Sequence, residues 1–196
     1  MKRYTKMYED PYKNPQQTGV KELEAFLQLL ADLNEPMELF AMGGTAMVLK
    51  GIKAATKDID FMTPLPQERI RKLFTLAGLK EKQKSTACNI WMLGNIRIDL
   101  FYRGFVMGIP FPTDWKQKSE HVRDLGKLRL YILNWQDILI TKIARNEPRD
   151  IEDCVAIIRH QNIDVSELKK RYEGIAETAI LADYAYRFKM LEQALK

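Results

Sequence analysis

Asp58 and Asp60 stand one residue apart in the segment Lys57-Asp58-Ile59-Asp60-Phe61-Met62, which alternates polar and apolar side chains. On a strand with that pattern both carboxylates leave one face, while Ile59 and Phe61 enter the core. Neighbouring carboxylates repel unless a cation lies between them, and Asp is a poor strand residue. A bound Mg²⁺ offsets both costs. A third carboxylate, Asp99, again sits between apolar residues, in Ile96-Arg97-Ile98-Asp99-Leu100-Phe101. If that strand lies beside 57–62, the three carboxylates converge. Such a set can hold two metal ions about 3.5–4 Å apart, the spacing used for in-line phosphoryl displacement. One ion activates an attacking hydroxyl, and the other holds a triphosphate and its leaving pyrophosphate. The chain has 2 histidines and 2 cysteines, spread along its length. This argues against a zinc site and for carboxylate-held Mg²⁺ or Mn²⁺.

A second feature lies upstream, at Met42-Gly43-Gly44-Thr45. Two glycines at the end of a strand let the backbone turn sharply and approach a ligand closely. The N–H groups of the following short helix favour an anion, and Thr45 adds a hydroxyl donor. A phosphate is the expected occupant. A Gly-Gly turn alone carries little information. A glycine turn, a short helix, an Asp-x-Asp strand and a later strand bearing Asp, in that order, carry much more.

The elements that must position these residues follow from periodicity. Val20, Leu23, Phe26, Leu27 and Leu30 form one apolar stripe, predicting a helix over 19–33. A strand over 37–42, a short helix over 45–50 and the strand 57–62 follow. A helix begins at Pro66 and ends at Gly78. Two apolar runs, 87–93 and 96–102, flank Gly94-Asn95, a good hairpin turn. Residues 103–127 read as irregular, and 128–133 as a further strand. Asn134 caps a helix, Pro148 opens the next, and Asp164-x-x-Glu167 begins a third. Gly174 is expected to separate that helix from a last one. The order implies an α/β or α+β chain, divided into a polar arm (1–17), a core (18–133) and a C-terminal helical segment (134–196) packed on it.

Bulk properties agree with this outline. The 196 residues are 46% hydrophobic and 29% charged, enough for a core without disulfides. The two cysteines have no pairing pattern, which points to a reducing compartment. The net charge of +5 and pI of about 9.1 suit a polyanion such as RNA or a triphosphate. The first residues lack the apolar core of a signal peptide, and no run approaches the ~18 apolar residues of a membrane span. The cytoplasm is the expected location. Trp91, Trp115 and Trp135 read as core or surface anchors rather than base-stacking platforms. Trp115, in the long loop, is in addition a candidate for stacking on a base.

Residues 37–102 resemble the polymerase-β-like nucleotidyltransferase superfamily: an apolar residue and Gly-Gly (Met42-Gly43-Gly44), Asp-x-Asp (Asp58-Ile59-Asp60), then a third carboxylate (Asp99). Gly51–Phe61 and Asn134–Ile157 further resemble the small prokaryotic branch that includes AbiEii-like toxins of toxin–antitoxin systems. The resemblance implies a nucleotidyltransferase fold whose sheet is mixed, mostly antiparallel and flanked by helices. It implies Mg²⁺- or Mn²⁺-dependent transfer of a nucleoside monophosphate from an NTP such as ATP to an acceptor hydroxyl. That acceptor belongs to an RNA such as tRNA, a protein or a small molecule. An antitoxin or other partner protein is a further expectation. Asp58, Asp60 and Asp99 would be catalytic and metal-binding, with Asp99 drawing the acceptor proton. Gly43, Gly44, Thr45, Lys57 and Lys142 would bind the nucleotide, and Arg149, Asp150 and Asp153 would shape the same wall. The branch often has Arg four residues before the first Asp. Here that position is Ala54, flanked by Lys53 and Lys57, and this departure supports an alternative, a non-catalytic member that binds NTP, RNA or a partner.

Overall fold

A computed structural model describes residues 17–106, 108–179 and 182–196. The arm expected over 1–17 therefore lies almost wholly outside the described residues. In chain order the elements are β1 (Thr18–Gly19), α1 (Val20–Ala31), β2 (Met37–Ala41), α2 (Gly43–Leu49), β3 (Ala55–Thr56), β4 (Ile59–Thr63), α3 (Gln67–Leu76), β5 (Lys80–Lys84), β6 (Cys88–Leu93) and β7 (Ile96–Tyr102). There follow β8 (Phe105–Val106), β9 (Ile109–Pro110), β10 (Glu120–Leu125), β11 (Leu128–Ile132), α4 (Trp135–Arg145), α5 (Pro148–Gln161), α6 (Val165–Thr178) and α7 (Tyr184–Ala194).

Seven strands form one mixed sheet in the order β10-β11-β2-β4-β7-β6-β5. The pairs β11–β2 and β4–β7 are parallel and the other four are antiparallel. Alternation sets the two faces. Phe61 points away from Asp60 and stacks on Phe26 of α1, which meets Phe74 of α3 edge-on; Phe74 in turn meets Trp91 of β6. That aromatic cluster leaves the opposite face of β4 and β7 free for polar side chains. The buried residues of α4 to α7 join the same continuous core as the sheet. Asn134 caps α4 by accepting from the Gln136 N–H at 3.1 Å, and Pro148 stands in the first turn of α5, both as the sequence implies.

Three expectations are corrected. The stretch 103–127 contains β10, which pairs with β11 across a turn at Gly126-Lys127. Its sequence, Glu-His-Val-Arg-Asp-Leu, lacks an apolar face because it is a sheet edge. Strand β5, Lys-Glu-Lys-Gln-Lys, is the other edge and is hidden for the same reason. Gly174 does not end a helix: α6 runs through it to Thr178. A glycine within a helix costs only about 1 kcal/mol, which packing overrides here. Trp115 meets Phe40 edge-on at 4.9 Å between ring centres and stands against Gly104, so it is a packing residue rather than a platform for a base.

One ion pair ties the C-terminal helices together. Asp137 of α4 is fully buried, and Arg171 of α6 donates to both of its oxygens, at 2.7 and 2.9 Å. Burial raises the Asp137 carboxyl, and Arg171 opposes that. Replacing Arg171 with Ala strands a buried carboxylate and is expected to cost about 3 kcal/mol in urea unfolding. Adding Asp137→Leu should restore most of the loss. A single variant within 0.5 kcal/mol of wild type, roughly the scatter of surface substitutions, would show that the pair does not hold the helices.

Candidate active site

Strands β4 and β7 run parallel with Asp60 directly opposite Asp99. Asp58 lies on the bend one residue ahead of β4 rather than on the strand itself. One carboxylate oxygen from each of the three still lies within 4.8 Å of the others. They share a cleft of about 520 Å³ with Gly43, Gly44, Lys57 and Lys142. Burial, followed by the charge of Asp99, raises the Asp58 carboxyl. Burial, followed by the charges of Asp58 and Asp99, holds Asp60 well above its ordinary value. A hard cation among these oxygens favours the ionised form of both and so opposes both shifts. The donor set is all carboxylate, so it fits Mg²⁺ or Mn²⁺.

The glycine turn is explained by contact rather than by flexibility alone. Gly43 has φ +54°, and a Cβ there would come 2.7 Å from Asp60 Oδ2. A Cβ on Gly44 would overlap Thr56 Oγ1 and lie 2.8 Å from the Thr56 Cβ. The two glycines thus let α2 start directly against β3 and the Asp60 carboxylate. Thr45 departs from its expected role. It is fully buried, and its hydroxyl oxygen accepts from the Asp60 backbone N–H at 2.8 Å. It fixes the start of β4 instead of lining the cleft.

The opposite wall is a ladder of alternating charge from α4 and α5. Lys142 is 5% exposed and donates to Asp153 Oδ2 at 2.7 Å, with Asp150 Oδ1 at 3.5 Å. Arg145 grips Asp150 with two bonds of 2.7 and 2.5 Å. Lys53 pairs with the other oxygen of Asp153. Burial pushes Asp150 up, but the Arg145 hydrogen bonds and the charges of Lys142 and Arg145 prevail, and its carboxyl lies below the ordinary range. Asp150 also accepts from the Glu147 N–H, closing the first turn of α5. Lys57 and Arg149 stand exposed at the cleft mouth.

Two cleft residues escaped the sequence reading. Arg97 lies two residues before Asp99, so strand alternation puts it on the same face. Its Nε and Nη2 donate to the two Asp99 oxygens at 2.6 Å each. Arg145 lies three residues after Lys142, on the same helix face. Both spacings were visible in the sequence, and only the partners were not.

Two variants test this geometry. Asp60→Asn removes a half-buried charge that faces two others, at constant shape, so in EDTA at neutral pH it should melt a few degrees above wild type. Mn²⁺ should raise the melting temperature of wild type and not of the variant. A lower melting point in EDTA would contradict the repulsion among the carboxylates. Gly44→Ala must displace Thr56 and should lower stability by about 1–3 kcal/mol, the usual cost of overpacking, read by the same melts.

The fold has known counterparts. The crystal structure of ANT(2'')-Ia in complex with adenylyl-2''-tobramycin is similar with a TM-score of 0.59 and 14% identity, over 81% of this chain and 99% of that one. The solution structure of the antibiotic-resistance factor ANT(2'')-Ia gives 0.61 and 13%, over 86% and 99%. JHP933 from Helicobacter pylori gives 0.55 and 12%, over 90% of each chain. No curated protein matches the sequence. These likenesses establish a nucleotidyltransferase fold, with the mixed α+β architecture expected. A family model described as "Nucleotidyltransferase of unknown function (DUF6036)" matches residues 19–195, nearly the whole described chain, and the protein belongs to that family.

Proposed function

We propose that the protein transfers a nucleoside monophosphate from an NTP to an acceptor hydroxyl, with Mg²⁺ or Mn²⁺ held by Asp58, Asp60 and Asp99. The observation that carries this reading is the convergence of the three carboxylate oxygens within 4.8 Å beside a glycine turn and a cationic wall. The bound ions would neutralise phosphate charge and lower the pKa of the attacking hydroxyl. This chain's own residues do the rest. Asp99 accepts the acceptor proton. Gly43 and Gly44 admit the nucleotide close to the backbone. Lys57, at the mouth, and Lys142, in the ladder, supply positive charge to the phosphates.

Within this reading the acceptor is an RNA 3′ end such as that of tRNA, a protein or a small molecule, and the excess of 5 positive charges favours RNA. The cytoplasm supplies such NTPs and acceptors. A role as a toxin–antitoxin component, with a partner protein, follows from the sequence resemblance. Among the described residues no helix is long and apolar enough to cross a membrane. The position of the missing arginine, Ala54, is exposed. Arg145 and Arg97 provide two guanidinium forks elsewhere in the same cleft.

Radiolabelled NTPs incubated with Mg²⁺, total tRNA and protein should label an acceptor with wild type. Asp58→Ala should reduce that labelling at least about 100-fold, as expected for loss of a metal-held transition state. Equal labelling by both would sink the assignment. Calorimetry with a Mg²⁺–NTP complex separates the non-catalytic alternative, which binds without turnover.

A further inference from the structure

Each oxygen of Asp99 accepts a hydrogen bond from a side chain of the same strand. Arg97 reaches them with Nε and Nη2 at 2.6 Å each, and the two side chains are 23% and 11% exposed. This is not an ordinary solvated pair. A guanidinium fork matches a carboxylate in shape as well as charge. Here it is fixed to Asp99, which faces another carboxylate, Asp60, directly across parallel strands. Like charges in that register are destabilising, and Arg97 supplies the cation that makes it tolerable.

We propose that Arg97 is a built-in counter-ion which a divalent cation must displace from Asp99, so that metal and triphosphate enter the cleft cooperatively. The inference rests on the metal-dependent reading above. A metal ion that uses Asp99 has to compete with two short charge-assisted hydrogen bonds. A guanidinium pushed off Asp99 remains in a part-buried cleft, where its charge favours an entering anion. A triphosphate is that anion. Each ligand therefore lowers the cost of admitting the other, and linkage makes the effect reciprocal.

The charge of the lining points the same way. Among the described residues, six cations (Lys53, Lys57, Arg97, Lys142, Arg145, Arg149) and six carboxylates (Asp58, Asp60, Asp99, Glu147, Asp150, Asp153) face the cleft. With no excess of either sign, neither a free cation nor a free triphosphate is drawn in strongly alone. The cation offsets part of the triphosphate's charge, so the pair upsets the balance less than the triphosphate alone.

The test is a metal-binding cycle. Mn²⁺ binding without nucleotide is followed by electron paramagnetic resonance for wild type, Arg97→Gln, Arg97→Lys, Asp99→Asn and the double variant Arg97→Gln/Asp99→Asn. Melting curves confirm that each is folded. Arg97→Gln should bind Mn²⁺ about tenfold more tightly than wild type, within the usual range of coupling between sites. Arg97→Lys keeps the charge but loses the fork, and should also bind more tightly, by a smaller factor. On the Asp99→Asn background the gain from Arg97→Gln should vanish. In calorimetry with Mg²⁺ and a non-hydrolysable NTP, Arg97→Gln should instead weaken binding about tenfold. Unchanged Mn²⁺ affinity in Arg97→Gln would overturn the proposal. So would a gain that survives on Asp99→Asn, or an Arg97→Lys variant equal to wild type, since either shows a diffuse field effect. Absence of Mn²⁺ binding in every protein would remove the metal-dependent reading itself, and this inference with it.

Discussion

Asp60 and Asp99 face each other across the parallel pair β4–β7, and the neighbourhood is organised around that juxtaposition. Two carboxylates in this register, with Asp58 close by, oppose folding unless positive charge is near. The residue types around them follow from that requirement. Arg97 meets it from within β7. Lys142 and Arg145 meet it from α4, and both lower the cost of ionising Asp60. The sheet can carry such a face because its other side is secured by aromatic packing among Phe26, Phe61, Phe74 and Trp91.

The same constraint explains why the helices after β11 belong to the site as well as to the core. Lys142 is nearly as buried as the apolar residues beside it, which is costly for an ammonium group unless it is paired. Asp150 and Asp153 pair it, and Arg145 and Lys53 pair them. Asp150 is also bonded to the start of α5, so the charge ladder and the helix turn share an atom group. Displacing α5 would therefore leave Lys142 and Arg145 without partners as well as exposing apolar surface. In the wall of the cleft, electrostatics and packing use the same residues.

Much of this was legible in the sequence, for identifiable reasons. The carboxylates, the glycine pair and the hairpin at Gly94-Asn95 each carry a local rule that tertiary structure did not override. The pairing of β4 with β7 was a condition in the sequence argument, and the sheet meets it. The edge strands β5 and β10 were missed because edges are polar by necessity, so they lack the alternation that marks a half-buried strand. Thr45 was misassigned because a hydroxyl after Gly-Gly suits a phosphate and a backbone N–H equally well. Only the position of β4 decides between them. Arg97 and Arg145 went unnoticed because a lone arginine has no pattern. Its meaning lies in the partner across two strand residues or between two helices.

Ala54 shows how function can be read at the level of the cleft rather than the motif. Where the branch that the sequence resembles often carries an arginine, this chain has a small exposed side chain. The sequence alone makes that a loss. In the folded chain two guanidinium groups, from β7 and α4, already stand in the cleft, each tied to a carboxylate and so oriented. An arginine held by a carboxylate is preorganised, at little cost in side-chain entropy when a phosphate takes its place. Position 54 is itself outside the lining, whose cations and carboxylates are equal in number. The absence of that arginine is thus consistent with a cleft whose positive charge is supplied from other elements.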